Sequence, residues 1–285
     1  MGHHPIPALL AAAVMLLGSV SAGRAAEAAG VETTIPAGTS GPPLRALVWA
    51  PAGPGPHPAV IALHGCSGLY DGKGRVGARF RDWAERLSGA GYWVVMPDSF
   101  GSRGAAGSQC RNADRVARAG RERIGDAMAA LDHLAGRADV RREAIFLLGW
   151  SNGGSTVLNA VGRAARAPGA PDFRAAIAFY PGCRVQAERG GWASRTDLLV
   201  LIGEADDWTP AEPCRRLAAG DPDRVTLVTY PGAYHDFDHP DLKVHTVAGL
   251  AFTGSGTGSA HTGTDPAARK DAIERVAAFL AAHRK

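Results

Sequence analysis

A serine hydroxyl is a poor nucleophile near neutral pH. It attacks a carbonyl only when an imidazole within hydrogen-bond reach takes its proton and a carboxylate orients that imidazole. Ser151 sits at the centre of Gly149-Trp150-Ser151-Asn152-Gly153. Five apolar residues, Ala144 to Leu148, lead in, and a small-residue, helix-compatible run, Gly154 to Ala165, leads out. Strand, sharp turn and helix with a serine at the apex is the G-x-S-x-G nucleophile elbow in the context it requires. The turn is so tight that a side chain at 149 or 153 would collide with its neighbours, which glycine avoids. In a chain with 37 glycines the five-letter pattern is weak by itself, so its partners decide.

Those partners must come from loops at the carboxyl ends of strands, where clefts form in a doubly wound sheet. After the apolar run Leu198–Ile202 comes Gly203-Glu204-Ala205-Asp206-Asp207-Trp208-Thr209-Pro210. Asp206 is the expected acid and Asp207 its rival; both would otherwise cap the helix begun at Pro210. After Arg224–Tyr230 comes Pro231-Gly232-Ala233-Tyr234-His235-Asp236-Phe237, and His235 is the expected base. His239 follows four residues later, but Pro240 and the lack of helical periodicity argue against a helical metal-binding pair, so no metal site is expected. His245 and His261 read as surface histidines. Ser151, Asp206, His235 is the chain order of the α/β-hydrolases, each member following a strand.

Acyl transfer also needs donors for the oxyanion. The Asn152 N–H stands at a helix N-terminus, where the dipole favours negative charge. The second donor is expected in His64-Gly65-Cys66-Ser67-Gly68, after the strand Ala59–Leu63, with the Cys66 N–H as the candidate. Cys66 is not on an elbow and is not read as a nucleophile. Trp150, Phe100, Trp208 and Tyr234 either line a pocket or pack the core. Arg103, in Ser99-Phe100-Gly101-Ser102-Arg103-Gly104, either meets a substrate carboxylate or serves its own turn.

The elements that must hold these groups alternate. Strands are expected at Leu44–Ala50 (an edge strand), Ala59–Leu63, Tyr92–Met96, Ala144–Leu148, Arg174–Tyr180, Asp197–Gly203 and Arg224–Tyr230. Helices are expected at Arg75–Leu87, where apolar residues recur at helical spacing, at Ala113–Leu134, after the elbow, at Pro210–Ala219 and at Asp265–Ala282. The arginines of the second helix read as an exposed face. Thr253–Thr264, rich in Gly, Ser and Thr, reads as a mobile loop. Strands alternating with helices over more than 200 residues predict an α/β fold: a doubly wound, mostly parallel sheet with helices on both faces.

The chain has 285 residues, is 46% hydrophobic and 20% charged, and carries a net charge of +4. That suffices for one domain with a full core. The charge is scattered as single arginines among acids, so no nucleic-acid surface is expected. The N-terminus differs: Ala8–Leu17 is apolar throughout and small residues follow to Ala26. This is the pattern of a secretory signal, cleaved around Ala22–Ala26, with an uncleaved anchor as the alternative because no Lys or Arg precedes the apolar run. The reading is a signal peptide over residues 1–25 and a single domain over 26–285, secreted or periplasmic, without stable membrane insertion after cleavage. Four cysteines in such a compartment suit two disulfides, for which three connectivities exist.

The motifs LHGCSG, MPDSFGSRG, GWSNGG, FYPGC, GEADDWTP and YPGAYHDFD together resemble the dienelactone hydrolase family of α/β-hydrolases, from about Ala59 to the C-terminal helix. The resemblance implies a single-domain hydrolase with the triad Ser151, Asp206 and His235, no cofactor, and a small ester or lactone as substrate. The chain departs from the family at one point: members that open dienelactones typically carry cysteine at the elbow, where this chain has Ser151. The departure bears on the namesake substrate, not on acyl-ester chemistry. On the same map Cys66 and Cys110 follow the second and third strands, and Cys183 and Cys214 follow the two strands after the elbow. The expected pairs are Cys66–Cys110 and Cys183–Cys214. Two alternatives stand beside the esterase reading: a serine peptidase of the same fold, and an extracytoplasmic binding protein that kept the fold without turnover.

Overall fold

The computed structural model describes residues 1–3, 30–36, 41–162 and 167–285. The expected signal peptide therefore falls almost wholly outside the described residues, as does the end of the helix expected up to Ala165.

Eight strands form one sheet: β1 (Val31–Ile35), β2 (Leu44–Trp49), β3 (His57–Leu63), β4 (Trp93–Pro97), β5 (Val140–Trp150), β6 (Ala175–Phe179), β7 (Asp197–Gly203) and β8 (Val225–Tyr230). Their order is β1-β2-β4-β3-β5-β6-β7-β8. β2 pairs antiparallel with β1 and with β4, and every pairing from β4 onward is parallel. Among the described residues six α-helices accompany them: α1 (Ala78–Gly89), α2 (Glu122–Ala135), α3 (Asn152–Val161), α4 (Arg184–Arg189), α5 (Ala211–Ala219) and α6 (Pro266–Ala282). β6 is buried along its whole length, and β5 from Ala144 on. Strands of that kind need cover on both faces, which parallel strands with crossover helices provide. α1 and α6 are tied by an Arg269–Asp82 ion pair of 2.6 Å, while α2 packs on α3. This is the doubly wound α/β architecture. Among the described residues no helix is long and apolar enough to cross a membrane.

Three elements differ from the sequence reading. Leu44–Trp49 is not the sheet edge, because β1 pairs outside it over five residues. The second helix starts only at Glu122. Ahead of it, side chains capture the backbone: Asp114 N–H donates to Asn112 Oδ1 at 2.9 Å and Arg118 N–H to Glu122 Oε2 at 2.9 Å. Such local bonds compete with helix formation. The third difference is Thr253–Thr264, whose residues Ser259–Thr262 form strand β10 and pair antiparallel with β9 (His245–Ala248). That hairpin arm projects from the main sheet and packs Leu250 and Ala260 on Cys66 and Cys110.

The loops above the sheet are joined to its core by one carboxylate. Asp238, with no exposed surface, accepts hydrogen bonds from Trp83 Nε1 at 2.8 Å, Trp150 Nε1 at 2.8 Å and Tyr180 O–H at 2.6 Å. These donors come from α1, β5 and the end of β6, so one acid ties three elements to the segment after β8. Replacing Asp238 by Ala strands all three donors. Removing one partner of a buried charged network costs about 3–5 kcal/mol. Urea unfolding of Asp238→Ala is expected to show that loss, with the exposed Asp223→Ala within about 0.5 kcal/mol of the parent.

Candidate active site

The site is built outward from the turn between β5 and α3. Ser151 has φ 53° and ψ −114°, a conformation that costs a non-glycine residue about 1–3 kcal/mol and persists only when the surroundings impose it. The imposing contacts are specific. A Cβ at Gly149 would lie 2.4 Å from Gly153 O, and one at Gly153 would lie 2.1 Å from Leu63 O. Both positions therefore exclude any side chain. Ser151 N–H donates to Phe179 O at 2.9 Å, which fixes the apex to β6. The parallel register pairs Leu63 with Gly149, and so sets the loop after β3 beside the serine.

His235 and Asp206 arrive from the neighbouring strand ends. His235 Nδ1 lies 2.8 Å from Asp206 Oδ2, and both residues are at most 3% exposed. Asp206 is held in turn by the N–H groups of Trp208 (3.0 Å) and Thr209 (2.8 Å) and by the Thr209 hydroxyl (3.0 Å). The imidazole lies between the rings of Tyr180 and Trp208, at centroid distances of 4.5 and 4.7 Å. Burial pushes the His235 pKa down, the adjacent Asp206 carboxylate pushes it up, and the carboxylate prevails. On its other side, Asp236 has φ 63° and is ion-paired to Arg79. Burial opposes the charge of Asp236, but Arg79 holds its carboxyl well below the usual carboxylate range.

Ser151 and His235 border one small cavity of about 30 Å³, together with Cys66, Trp208 and Arg79. His235 Nε2 is buried there without a hydrogen-bond partner. The serine–histidine hydrogen bond is thus open in this conformation. Such bonds commonly tighten only when substrate is bound.

The Asn152 N–H heads α3, where first-turn donors have no intrahelical acceptor. Cys66 is fixed at three points. Its sulfur is bonded to Cys110, its carbonyl accepts Gln109 N–H at 2.8 Å, and the hairpin arm packs on the disulfide. The second disulfide joins Cys183 and Cys214. Both pairs are those expected from the sequence.

A cleft of about 600 Å³ opens beside this cluster, bordered by Ser151, Asn152, Cys66 and Trp208. Its size is that of a small-molecule site. Among the described residues Arg115, Arg184 and Arg189 line it, against Glu212 as the single acid. Among the aromatic residues singled out from sequence, Trp208 alone lines the cleft. For Phe100 and Tyr234 the packing alternative holds, and Trp150 both packs and borders the small cavity. Trp150 touches only the small cavity, with its indole buried and bonded to Asp238. Phe100 is core, 1% exposed and edge-on to His64. Tyr234 packs on the His261 ring at 5.0 Å. Arg103 turns away from the cleft and forms a two-point pair with Asp126 at 2.7 and 2.9 Å. Asp207, the rival acid, binds His261 Nδ1 at 2.7 Å and His261 N–H at 2.8 Å, so it anchors the hairpin arm. His261 is therefore a partnered strand residue rather than a bare surface histidine.

The sequence reading missed Arg123. It is wholly buried and donates to Asn152 Oδ1 at 2.6 Å and His64 O at 2.8 Å. The signal was present: Arg123 shares the buried stripe of α2 with Ala127, Ala130 and Leu134, the i, i+4, i+7 and i+11 positions of one face.

The fold and the strand–turn–helix elbow define an α/β-hydrolase. The sequence model of the dienelactone hydrolase family matches residues 44–284; the chain belongs to that family and is a hydrolase acting on ester bonds. No curated protein sequence matches it. Among solved structures it is similar to a protein of Klebsiella pneumoniae subsp. pneumoniae assigned as a dienelactone hydrolase, with 19% identity, TM-score 0.63, and 88% of this chain and 98% of that one covered. Esterase 2 of Thermogutta terrifontis phosphorylated by paraoxon shares 20% identity at TM-score 0.61, covering 90% and 94%. Porphyromonas gingivalis dipeptidyl peptidase 4 shares 19% identity at TM-score 0.60 over 88% of this chain, which spans only 35% of that protein.

The balance of burial against Asp206 is open to measurement. In Asp206→Asn the burial of His235 remains and the opposing carboxylate is gone. Imidazole NMR titration is expected to find the His235 midpoint above the ordinary histidine value in the parent and below it in the variant. An unmoved midpoint would show that Asp206 does not set the charge of His235.

Proposed function

We propose that this chain is a secreted or periplasmic serine hydrolase that cleaves a carboxylic ester or lactone through an acyl-enzyme. The observation that carries the reading is the buried His235–Asp206 pair at 2.8 Å, whose free Nε2 shares a cavity with the elbow serine. His235 Nε2 takes the Ser151 proton as Oγ attacks the carbonyl. The N–H groups of Cys66 and Asn152 hold the oxyanion. His235 then protonates the departing alcohol while Asp206 stabilises the imidazolium, and water repeats the sequence to release the acid. The arginines of the cleft favour esters with a carboxylate remote from the scissile bond, by charge complementarity.

A fluorophosphonate probe tests the nucleophile. The modified peptide is expected to contain Ser151, and p-nitrophenyl ester turnover is expected to fall by at least about 10³-fold in Ser151→Ala. Equal rates for parent and variant would favour the binding protein. In an ester panel, hemisuccinate or glutarate monoesters are expected to outperform neutral esters of equal length, an advantage that Arg115→Ala reduces through KM. Efficient cleavage of peptide amides with poor ester turnover would favour the peptidase.

Residues 1–25, read as a signal peptide ahead of one domain over 26–285, supply the secretion reading, and two disulfides suit an oxidising compartment. Intact-mass measurement of protein from the periplasm or medium is expected to place the mature N-terminus between Gly23 and Glu27. Full-length protein retained in the cytoplasm would overturn that part of the proposal.

A further inference from the structure

We infer that Arg123 is a positioning residue that keeps the two oxyanion donors in register and sets a fixed positive charge beside them, an inference that rests on the serine-hydrolase reading above. The donors belong to different loops. The Asn152 N–H opens α3, and the Cys66 N–H lies two residues beyond His64, in the loop after β3. One guanidinium reaches both loops: Nη1 donates to Asn152 Oδ1 at 2.6 Å and Nη2 to His64 O at 2.8 Å. A planar fork with two donors fixes the spacing between its acceptors in a way that a lysine ammonium does not. The third contact, Nε to Ser99 Oγ, is long at 3.4 Å.

The surroundings make the charge unusual. Arg123 is wholly buried and forms no ion pair among the described residues. The nearest acid on its own helix, Asp126, is occupied by Arg103 at 2.7 Å. The Phe100 ring lies 5.4 Å from the guanidinium. His64 adds no charge, because burial and the neighbouring Arg123 hold its pKa well below the ordinary value. Its Nε2 accepts Ser99 N–H at 3.2 Å, so the ring proton is on Nδ1, which donates to Gly65 O at 2.8 Å. Burial pushes the Arg123 pKa down to about 9, so the group remains charged at neutral pH.

Asp126 and Asp98 act on the Arg123 charge without direct contact, and a buried cation whose direct partners are all neutral is unfavourable in the resting protein. Negative charge arriving on the carbonyl oxygen, held by Asn152 and Cys66, relieves that penalty. The relief exists in the tetrahedral state and not with the neutral ester. An interaction of that kind raises kcat without tightening KM. The Asn152 side chain links the two: its Oδ1 binds the guanidinium, and its backbone N–H faces the substrate.

The test compares Arg123→Met, Arg123→Lys and Asn152→Ala in the full chain. Arg123→Met is expected to lower kcat about 10²-fold, as loss of one oxyanion donor does, with KM changed less than about twofold. Affinity for phenylboronic acid, which forms a tetrahedral adduct with an active-site serine, is expected to fall by a similar factor. Arg123→Lys, with the charge but not the fork, is expected to lie between. In an Asn152→Ala background, which removes Oδ1 and keeps the N–H, Arg123→Met is expected to cost less than in the parent. A hydrolytic parent matched by Arg123→Met in kcat and boronate affinity would overturn this inference alone, as would losses in both variants that track only a fall in Tm. If Arg123→Met does not fold, parental kcat and boronate affinity in both Arg123→Lys and Asn152→Ala would overturn it. A parent that neither turns over esters nor binds boronate would overturn the serine-hydrolase reading and this inference with it.

Discussion

The turn from β5 into α3 leaves no room for a Cβ at Gly149 or Gly153, and the rest of the site takes its position from that constraint. With both glycines pressed against backbone carbonyls, the only way to continue the chain is to hold Ser151 at positive φ. A conformation that strained would relax if its flanks could give. They cannot, because β3 pairs β5 from Ile145 to Gly149 and β6 pairs it from Leu147 to Trp150, and α3 starts on the residue after Ser151. The large parallel core is thus the support that keeps one hydroxyl raised from the sheet, where a chain of this composition would otherwise bury a small polar side chain or leave it idle.

Charge is distributed around this turn with the same economy. Asp206 is buried, yet its oxygens meet the Trp208 and Thr209 amides, a hydroxyl and the imidazole. Asp238 is buried, yet it meets two indoles and a phenol. Asp236 has Arg79. These acids lie in or beside the two loops, and their hydrogen-bond partners differ, although Arg79 also reaches Asp238 at 3.6 Å. Arg123 is the exception, since its partners are neutral oxygens. A buried charge whose direct hydrogen-bond partners are all neutral marks a place where a complementary charge would be strongly attracted.

The fold was legible in the sequence because its strands are short apolar runs bounded by Gly and Pro, and because strand and helix periods alternate. The elbow was legible because two glycines flank a serine between a strand and a helix. Asp206 and His235 were legible as a pair of loop residues at strand ends, and the structure brings these two into contact. What was not legible depends on long-range partners. Arg103 reads as a free cation until Asp126 is seen beside it, 23 residues away. The acids of HDFDH show no task in sequence until Arg79, Trp83, Trp150 and Tyr180 are placed around them. The arm over Thr253–Thr264 has loop composition, and it is ordered by Asp207 and by the Cys66–Cys110 disulfide rather than by its own propensities. Arg123 could have been found, since a charged residue on the apolar stripe of a helix is rarely idle.

One feature of the loop after β3 bears on the timing of order. The backbone of Cys66 is stitched to Cys110 through its side chain and to Gln109 through its carbonyl. Its amide cannot drift without carrying a closed covalent ring that includes α1 and β4. The entropy of fixing that amide is therefore lost once, when the thiols are oxidised during maturation, and not again with each molecule of ester that arrives. In this hydrolase a crosslink made before the first encounter with an ester does the work that a closing lid performs elsewhere.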